Sequence, residues 1–401
     1  MAVNVSINQD YSNELSTGLD NSDLECLRRF NQTAQHYNGT SYLSPQASAT
    51  FGYTKGGVLL ITALYPLILI FGIIGNGAFI YVAVKIKHMR TITNRYLINL
   101  AIADIIFLIA AIGPKLWRYV RSPLDGDDTP LGLPGCITVI FLSDMSYFAS
   151  LLFVTLVSLD RYVAVCRPQD RNGGIKGKSM ELITGAWILS GLLAAILTPG
   201  NANIVFYCYK WAPVYPYKQW PSAIRYCLPL KPWITRFSLG LQTLPFFITL
   251  ILNCVLYIAI IHGLDQSMKR LNQQGLQKTK DSNMRNQIAK MLVVNGLVFF
   301  LFLSPFEFVS LCYMIASSRG NQFIISNHVA RSYISQCARI LSYINSAINP
   351  IIYTAMCDRY ILAFKQALIP KRFSQSKDTA EHGRVDTVGS KTMQIDATSA
   401  L

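Results

Sequence analysis

The chain has 401 residues, 51% hydrophobic and 14% charged, with 36 Lys and Arg against 21 Asp and Glu. Soluble domains carry about 25% charged residues, so this composition excludes an ordinary soluble enzyme or carrier and implies an integral membrane protein. The net charge of +15 does not signal a nucleic-acid binder, because the basic residues lie scattered in short connections beside long apolar runs, with no basic stripe or recognition motif.

Residues 1–56 form a polar N-terminal segment without the basic-then-apolar pattern of a cleavable signal, so the first apolar run is expected to act as the insertion signal. Asn4, Asn31 and Asn38 head Asn-x-Ser/Thr sequons. Glycosylation there requires a lumenal or extracellular location, which predicts an outside N-terminus.

Seven apolar segments follow, at about 57–84, 95–119, 134–166, 180–200, 232–262, 287–317 and 329–355. Each is long enough to cross the hydrocarbon layer. Pro66, Pro114, Pro245, Pro305 and Pro350 fall inside them; in a membrane bundle such prolines are tolerated as kinks. With the N-terminus outside, the inner connections are basic: Lys85, Lys87, Arg90 and Arg95, then Arg167, Arg171, Lys176 and Lys178, then Lys269, Arg270, Lys278, Lys280, Arg285 and Lys290. The outer loops hold Lys115, Arg118, Arg121, Lys210, Lys218, Arg225 and Lys231, so positive-inside supports this orientation moderately.

Charges inside the spans are functional candidates by default. Asp104 lies at mid-depth in the second span, where an unpaired carboxylate costs several kcal/mol. In the outer half, Asp144 sits two turns inside Cys136, Glu307 just past Pro305, and Arg339 about three turns before Pro350. Two readings stay open: a Glu307–Arg339 ion pair that ties two helices, or a ligand cage with acids for a basic group and Arg339 for a carbonyl or carboxylate. Tyr147, Phe308, Tyr313, Gln336, Arg118 and Arg236 are further candidates for the same rim. The third span ends in Asp160-Arg161-Tyr162, 25 residues after Cys136, or roughly 37 Å of helix. It thus carries a cysteine near one membrane face and an ionic pair near the other.

After the seventh span, Tyr360, Ile361, Phe364 and Leu368 recur at helical spacing among charges, predicting an amphipathic helix on the inner face. Residues 369–401 are polar and read as a disordered cytoplasmic tail. No internal repeat is visible, which weakens a seven-span transporter.

One marker per span, in order, resembles the rhodopsin-like (class A) G-protein-coupled receptors over 57–368: Gly75-Asn76, Asn99 to Asp104, Cys136 with Asp160-Arg161-Tyr162, Trp187, Pro245, Pro305, and Asn349-Pro350-Ile351-Ile352-Tyr353. The resemblance implies an all-α membrane protein, a seven-transmembrane helix bundle with an amphipathic eighth helix. It implies a plasma-membrane receptor that is no enzyme and acts on heterotrimeric G proteins, with Asp160, Arg161, Tyr162, Asn349, Pro350 and Tyr353 forming the switch. It implies a disulfide from Cys136 to the second outer loop, where Cys227 is preferred over Cys208 because it lies nearer the fifth helix; a Cys26–Cys208 bridge would be a second one. The remaining five cysteines read as free apolar fillers. Asp104, Ser150, Asn345 and Asn349, with Asn76 nearby, are the expected oxygen ligands of an allosteric sodium ion, against a neutral hydrogen-bonded network. No other cofactor is expected.

Two departures bear on activation. Leu303 replaces the tryptophan usual two residues before Pro305, and Asn253 stands where a tyrosine is common in the fifth helix. Arg285 lies where some relatives have an acid, so no latch from Arg161 to the sixth helix is expected. The seventh span has no lysine for a retinal Schiff base, and the acid of the third helix is one residue later than in amine receptors. The aromatic second outer loop (Tyr207, Tyr209, Trp211, Tyr215, Tyr217, Trp220) suits an extended ligand. Met89-Arg90-Thr91-Ile92-Thr93-Asn94 is similar to receptors for thyrotropin-releasing hormone, neuromedin U or FMRFamide-like peptides. A neuropeptide is therefore the expected ligand; a lipid or nucleotide is the alternative, and a transporter the more distant one. Arrestin at tail Ser/Thr residues, membrane lipids, and a PDZ protein at Ser399-Ala400-Leu401 are expected partners, with no nucleic acid among them.

Overall fold

The computed structural model describes residues 36–37, 42–167, 177–273, 280–318 and 328–368. The sequons and the tail lie outside them, as do the arrestin and PDZ motifs. A short helix α1 (Pro45–Ala49) precedes the first long rod, which runs from α2 (Lys55–Leu59) through one π-helical turn (Leu60–Leu64) into α3 (Tyr65–Lys85). Then come α4 (Ile92–Arg121), α5 (Gly132–Cys166), α6 (Ser179–Leu197), α7 (Pro232–Gln273), α8 (Lys280–Ser318), α9 (His328–Met356) and α10 (Asp358–Leu368).

Six stretches are long and apolar enough to cross a membrane: Lys55–Lys85, Ile92–Arg121, Gly132–Cys166, Ser179–Asn201, Pro232–Arg270 and Asn283–Ala316. The 29-residue α9 is also long enough, and it is less apolar because it buries Ser342, Asn345, Ser346 and Asn349 against the other helices. The rods close into a ring, α3 on α4, α4 on α5, α5 on α7, α7 on α8, α8 on α9 and α9 back on α3. α6 flanks the ring on α5, which also touches α8 and so serves as the common axis. The polarity is inverted relative to a soluble bundle: Ile251 and Leu301 are 66% and 69% exposed, whereas Asp104 and Glu307 are 0% exposed. An apolar outside is the surface a bilayer covers, and helices are the elements that can span it with their backbone groups paired.

The prolines expected as kinks lie inside α4, α7, α8 and α9, and Pro66 opens the first turn of α3. The N-terminus of α4 is capped by Thr91, whose hydroxyl accepts from the Asn94 N–H at 3.2 Å. At the same end of the bundle α10 begins just after Cys357. Tyr360 donates to Asn94 Oδ1 at 2.6 Å, Lys85 donates to the Ala367 carbonyl at 3.0 Å, and Arg359 donates to the His88 carbonyl. These bonds fix the amphipathic helix to the α3–α4 connection. Cys357 is 1% exposed.

The helical bundle carries one addition that the sequence pattern did not announce. β2 (Asn203–Cys208) and β3 (Ala223–Leu228) pair antiparallel, and β1 (His36–Tyr37) joins β2 in parallel, His36 opposite Tyr207. A small separate core fills the space between this sheet, the N-terminal segment and the α4–α5 loop. Leu124, Trp211 and Ile224 are buried there, with Leu43, Phe51, Tyr209, Tyr217, Trp220 and Tyr226 packed round them. The loop's aromatic side chains are thus largely committed to its own packing, and Tyr215, 81% exposed, is the exception. Cys227 of β3 is bonded to Cys136 at the start of α5, with Cα atoms 6.0 Å apart. Cys208 is itself disulfide-bonded, while Cys26 lies outside the described residues. Cys166, Cys254, Cys312, Cys337 and Cys357 are free.

Candidate functional site

Three polar sites lie along α5, separated by apolar packing. At the disulfide face the α4–α5 loop is clamped to β3. Asp128 accepts from the Cys227 N–H at 2.8 Å and pairs with Arg118 at 2.6 Å; Asp127 accepts from Ser122 and from the Thr129 N–H, both at 2.8 Å. Burial raises the Asp128 carboxyl above its usual range, opposed by Arg118 and the Cys227 N–H. Arg118 is therefore a clamp residue rather than a free rim cation.

Beneath this roof, Glu307 of α8 and Tyr147 of α5 meet: the Tyr147 hydroxyl donates to Glu307 Oε1 at 2.7 Å. Glu307 Oε2 is buried near the Thr243 hydroxyl of α7, the two just short of full hydrogen-bond geometry. Asp144, one turn before Tyr147, is half-buried and within electrostatic range of Glu307. No Glu307–Arg339 ion pair forms among the described residues; Arg339 lies instead in range of Lys115, Tyr65 and Tyr343. Among the described residues the two acids are consequently left without an ion pair.

The other predicted rim residues divide. Tyr313 and Ser335 share a 3.4 Å hydrogen bond that joins α8 to α9, and Gln336 is half-buried one residue later. Phe308 is rotated away from Glu307 and packs edge-on against Phe247, centroids 5.6 Å apart. Arg236 is exposed on the first turns of α7. Phe308 and Arg236 make no contact with the acid pair among the described residues.

At mid-depth Asp104 is fully buried. Asn349 Nδ2 donates to its Oδ2 at 2.7 Å, and the Ser150 hydroxyl reaches Oδ1 at 3.5 Å. Asn345 Oδ1 is buried without a partner. Asn76 turns instead to the backbone, donating to the Gly72 and Ser346 carbonyls at 2.9 and 2.8 Å. Trp187 donates to Asn99 Oδ1 at 2.9 Å, tying α6 to α4.

At the opposite face Asp160 Oδ2 accepts from Arg161 Nη2 at 2.6 Å, from Arg161 Nε at 3.2 Å and from the Thr93 hydroxyl at 2.6 Å. Arg161 Nη2 also donates to Thr93. A clasp across α5 and α4 results, at the wall of a cavity of about 930 Å³ that Tyr162, His262, Arg270, Arg285 and Arg359 also line. Tyr162 carries the Arg167 guanidinium 6.0 Å from its ring centroid. Tyr353 is buried between Phe79 and Tyr360, at 5.2 and 5.8 Å, just past the Pro350 kink.

The two departures from the family pattern are filled by neighbours. Leu303 is buried, and Phe246, Phe299 and Phe300 form the ring contacts between α7 and α8, with Phe246–Phe300 at 5.8 Å and Phe299–Phe300 at 5.3 Å. Asn253 donates to Thr155 at 2.9 Å, joining α7 to α5. One turn later Tyr257 supplies a tyrosine, whose hydroxyl accepts from Ser158 at 3.2 Å. Sequence reasoning missed Tyr257; the signal was its four-residue spacing from Asn253, which puts both on one face. Gly296 of α8 makes room for it, since a Cβ there would overlap the Tyr257 hydroxyl and lie 2.5 Å from Cζ. Gly296→Ala should therefore destabilise the receptor by about 1–3 kcal/mol, read as a lower unfolding midpoint in detergent. The penalty should shrink in a Tyr257→Ala background; equal penalties in both backgrounds would remove Tyr257 from the account.

The chain was compared with known proteins. The pattern described as 7 transmembrane receptor (rhodopsin family) matches residues 75–353. The thyrotropin-releasing hormone receptor of Mus musculus is 26% identical over 379 residues, covering 84% of each chain. Neuromedin-U receptor 1 of Homo sapiens is 29% identical over 349 residues, 82% of this chain and 75% of that one. Somatostatin receptor type 1 of Rattus norvegicus is 26% identical over 330 residues, 80% and 74%. A match over well more than half the chain, on helices whose markers meet as described, makes this a multi-pass receptor and not an enzyme: the chain belongs to the rhodopsin family of seven-transmembrane receptors.

Proposed function

We propose that this receptor binds an extracellular peptide at its disulfide face and activates a heterotrimeric G protein at the Arg161 face. The observation that carries the reading is that one helix, α5, holds both ends: Cys136, Asp144 and Tyr147 at one, and the Asp160–Arg161 clasp at the other. The uncompensated acids suit a cationic group, and the relatives named above are receptors for thyrotropin-releasing hormone, neuromedin U and somatostatin. The N-terminal segment is outside the cell on this reading, in keeping with the sequons and the basic connections on the other face. Arrestin and a PDZ protein belong to the same proposal, on the tail motifs.

The experiment is expression of the full chain with G-protein dissociation reporters and a screen against a neuropeptide library. Activation by one peptide class is the expected result. Silence to every peptide with a response to a lipid or a nucleotide would replace the ligand class.

Sodium belongs to the proposal as an allosteric ion. The donor set fits, with the Asp104 carboxylate, the Ser150 hydroxyl and the orphaned Asn345 Oδ1 as hard oxygen ligands. Asn349 presents Nδ2 to Asp104 and so holds the carboxylate in place. Replacing sodium by N-methylglucamine should change agonist affinity several-fold in the wild type and leave the Asp104→Asn variant unmoved. Equal responses from both would discard the ion.

A further inference from the structure

The seam between α4 and α9 carries two cations that no acid of the described residues neutralises. These helices meet over Ile112 and Tyr343, which are buried in one apolar cluster with Tyr65 of α3. Lys115 follows Ile112 by three residues and Arg339 precedes Tyr343 by four. Since α4 and α9 cross the membrane in opposite directions, both spacings set the side chains on the seam, one turn nearer the disulfide face. Arg339 is exposed and Lys115 half-buried, and each lies in the other's electrostatic range.

Neither makes an ion pair among the described residues. Of the two acids in range of Lys115, Asp128 is committed to Arg118 and to the Cys227 N–H, which leaves Asp125 alone in the loop. Below the cations, Tyr65 and Tyr343 meet edge-on with centroids 5.8 Å apart, an amphipathic floor with hydroxyl donors. Across the bundle stand the acids, Asp144 and Glu307, equally without an ion pair among the described residues. Within the spans the charges are therefore segregated, Lys115 and Arg339 on the α4–α9 side and Asp144 and Glu307 on the α5–α8 side. Like charges within electrostatic range in a partly desolvated site repel, and a bound group of opposite sign relieves that repulsion.

We infer that Lys115 and Arg339 form the subsite for a carboxylate of the peptide, so that this receptor selects a ligand with an anionic group as well as the cationic one. The inference rests on the peptide reading above and deepens it. A guanidinium fork beside an ammonium gives a carboxylate two hydrogen bonds and a second charge, whereas a carboxamide leaves both cations unneutralised. The carboxylate is either a free C-terminus or an Asp or Glu side chain, and the test separates these sources.

The probe is a library of short peptides, each with one arginine, made in three forms: C-terminal acid, C-terminal amide, and amide with one internal aspartate. The full receptor is read by G-protein dissociation, with surface expression measured in parallel. A preference of roughly ten- to hundredfold for a carboxylate-bearing form over the plain amide is expected. Preference for the C-terminal acid assigns a chain terminus, and preference for the aspartate form assigns a side chain. In Lys115→Gln and Arg339→Gln that ratio should fall toward one, while Lys115→Arg keeps it. Peptides that activate regardless of the carboxylate, or a ratio unmoved in both Gln variants, overturn the subsite alone. No response to any peptide sinks the peptide reading and the subsite with it.

Discussion

Arg161→Ala should abolish signalling while leaving agonist affinity within a few-fold of the wild type, measured by G-protein dissociation and by ligand binding on the same cells. Arg161 lies 17 residues after Asp144, about 25 Å along α5, so it cannot touch a ligand bound among the acids. In the resting clasp its guanidinium is held by Asp160, and Thr93 binds both members. A charge-assisted hydrogen bond is worth about 1.5–3 kcal/mol, enough to keep the released state rare. Removing only the hydroxyl, as in Thr93→Val, should raise ligand-independent output roughly tenfold or more, because a hydrogen bond to an ionised partner contributes about 1.5–3 kcal/mol to the closed state. The two variants thus move output in opposite directions from one cluster. Full signalling by a well-expressed Arg161→Ala receptor would end the switch reading. Loss of ligand binding along with signalling would assign Arg161 to the fold of α5.

The bundle was legible in the sequence because bilayer thickness and backbone satisfaction leave an apolar run few alternatives. Markers such as Trp187 and Asn99, far apart in the chain, meet in space as the family pattern implies. The sheet at the disulfide face was not legible. Its strands are six residues each, and their aromatic residues read equally well as ligand contacts or as a core until the partners Phe51 and Leu124 are known. Charges inside the spans could be found from sequence, but their pairing could not. Glu307 and Arg339 are 32 residues apart on adjacent helices, and only rotation about each helix axis sends one to Tyr147 and the other toward Lys115. The same rotation hid Tyr257, since position-by-position comparison registers Asn253 as a loss and passes over the tyrosine one turn on. Thr93 escaped notice because nothing in a loop-to-helix junction marks a threonine as the partner of an acid 67 residues away.

Glu307→Gln separates binding from stability with opposite signs. The side chain is 0% exposed, accepts a hydrogen bond from Tyr147 and lies near the Thr243 hydroxyl. Oε2 lacks a full hydrogen bond, and Asp144 stands in electrostatic range. An acid in that setting costs stability, whether by desolvation or by repulsion from its neighbour. The amide keeps an acceptor for Tyr147, removes the acid, and offers its N–H₂ to the neighbouring Thr243 hydroxyl on α7. The ligand-free receptor should therefore unfold at a higher temperature as the glutamine variant. Agonist potency should fall, by about 2–5 kcal/mol or roughly 30- to several-thousandfold, because a desolvated charge pair with the ligand is broken from one side. The loss should be confined to peptides with a cationic side chain, and a citrulline analogue, which lacks the charge, should not distinguish the variant from the wild type. A group that destabilises the empty protein and strengthens the complex is the trade expected of a binding residue. If Glu307→Gln instead lowered the unfolding temperature and spared potency, the acid would be a structural tie between α5 and α8, and the cationic half of the ligand would have to be sought at Asp144 alone.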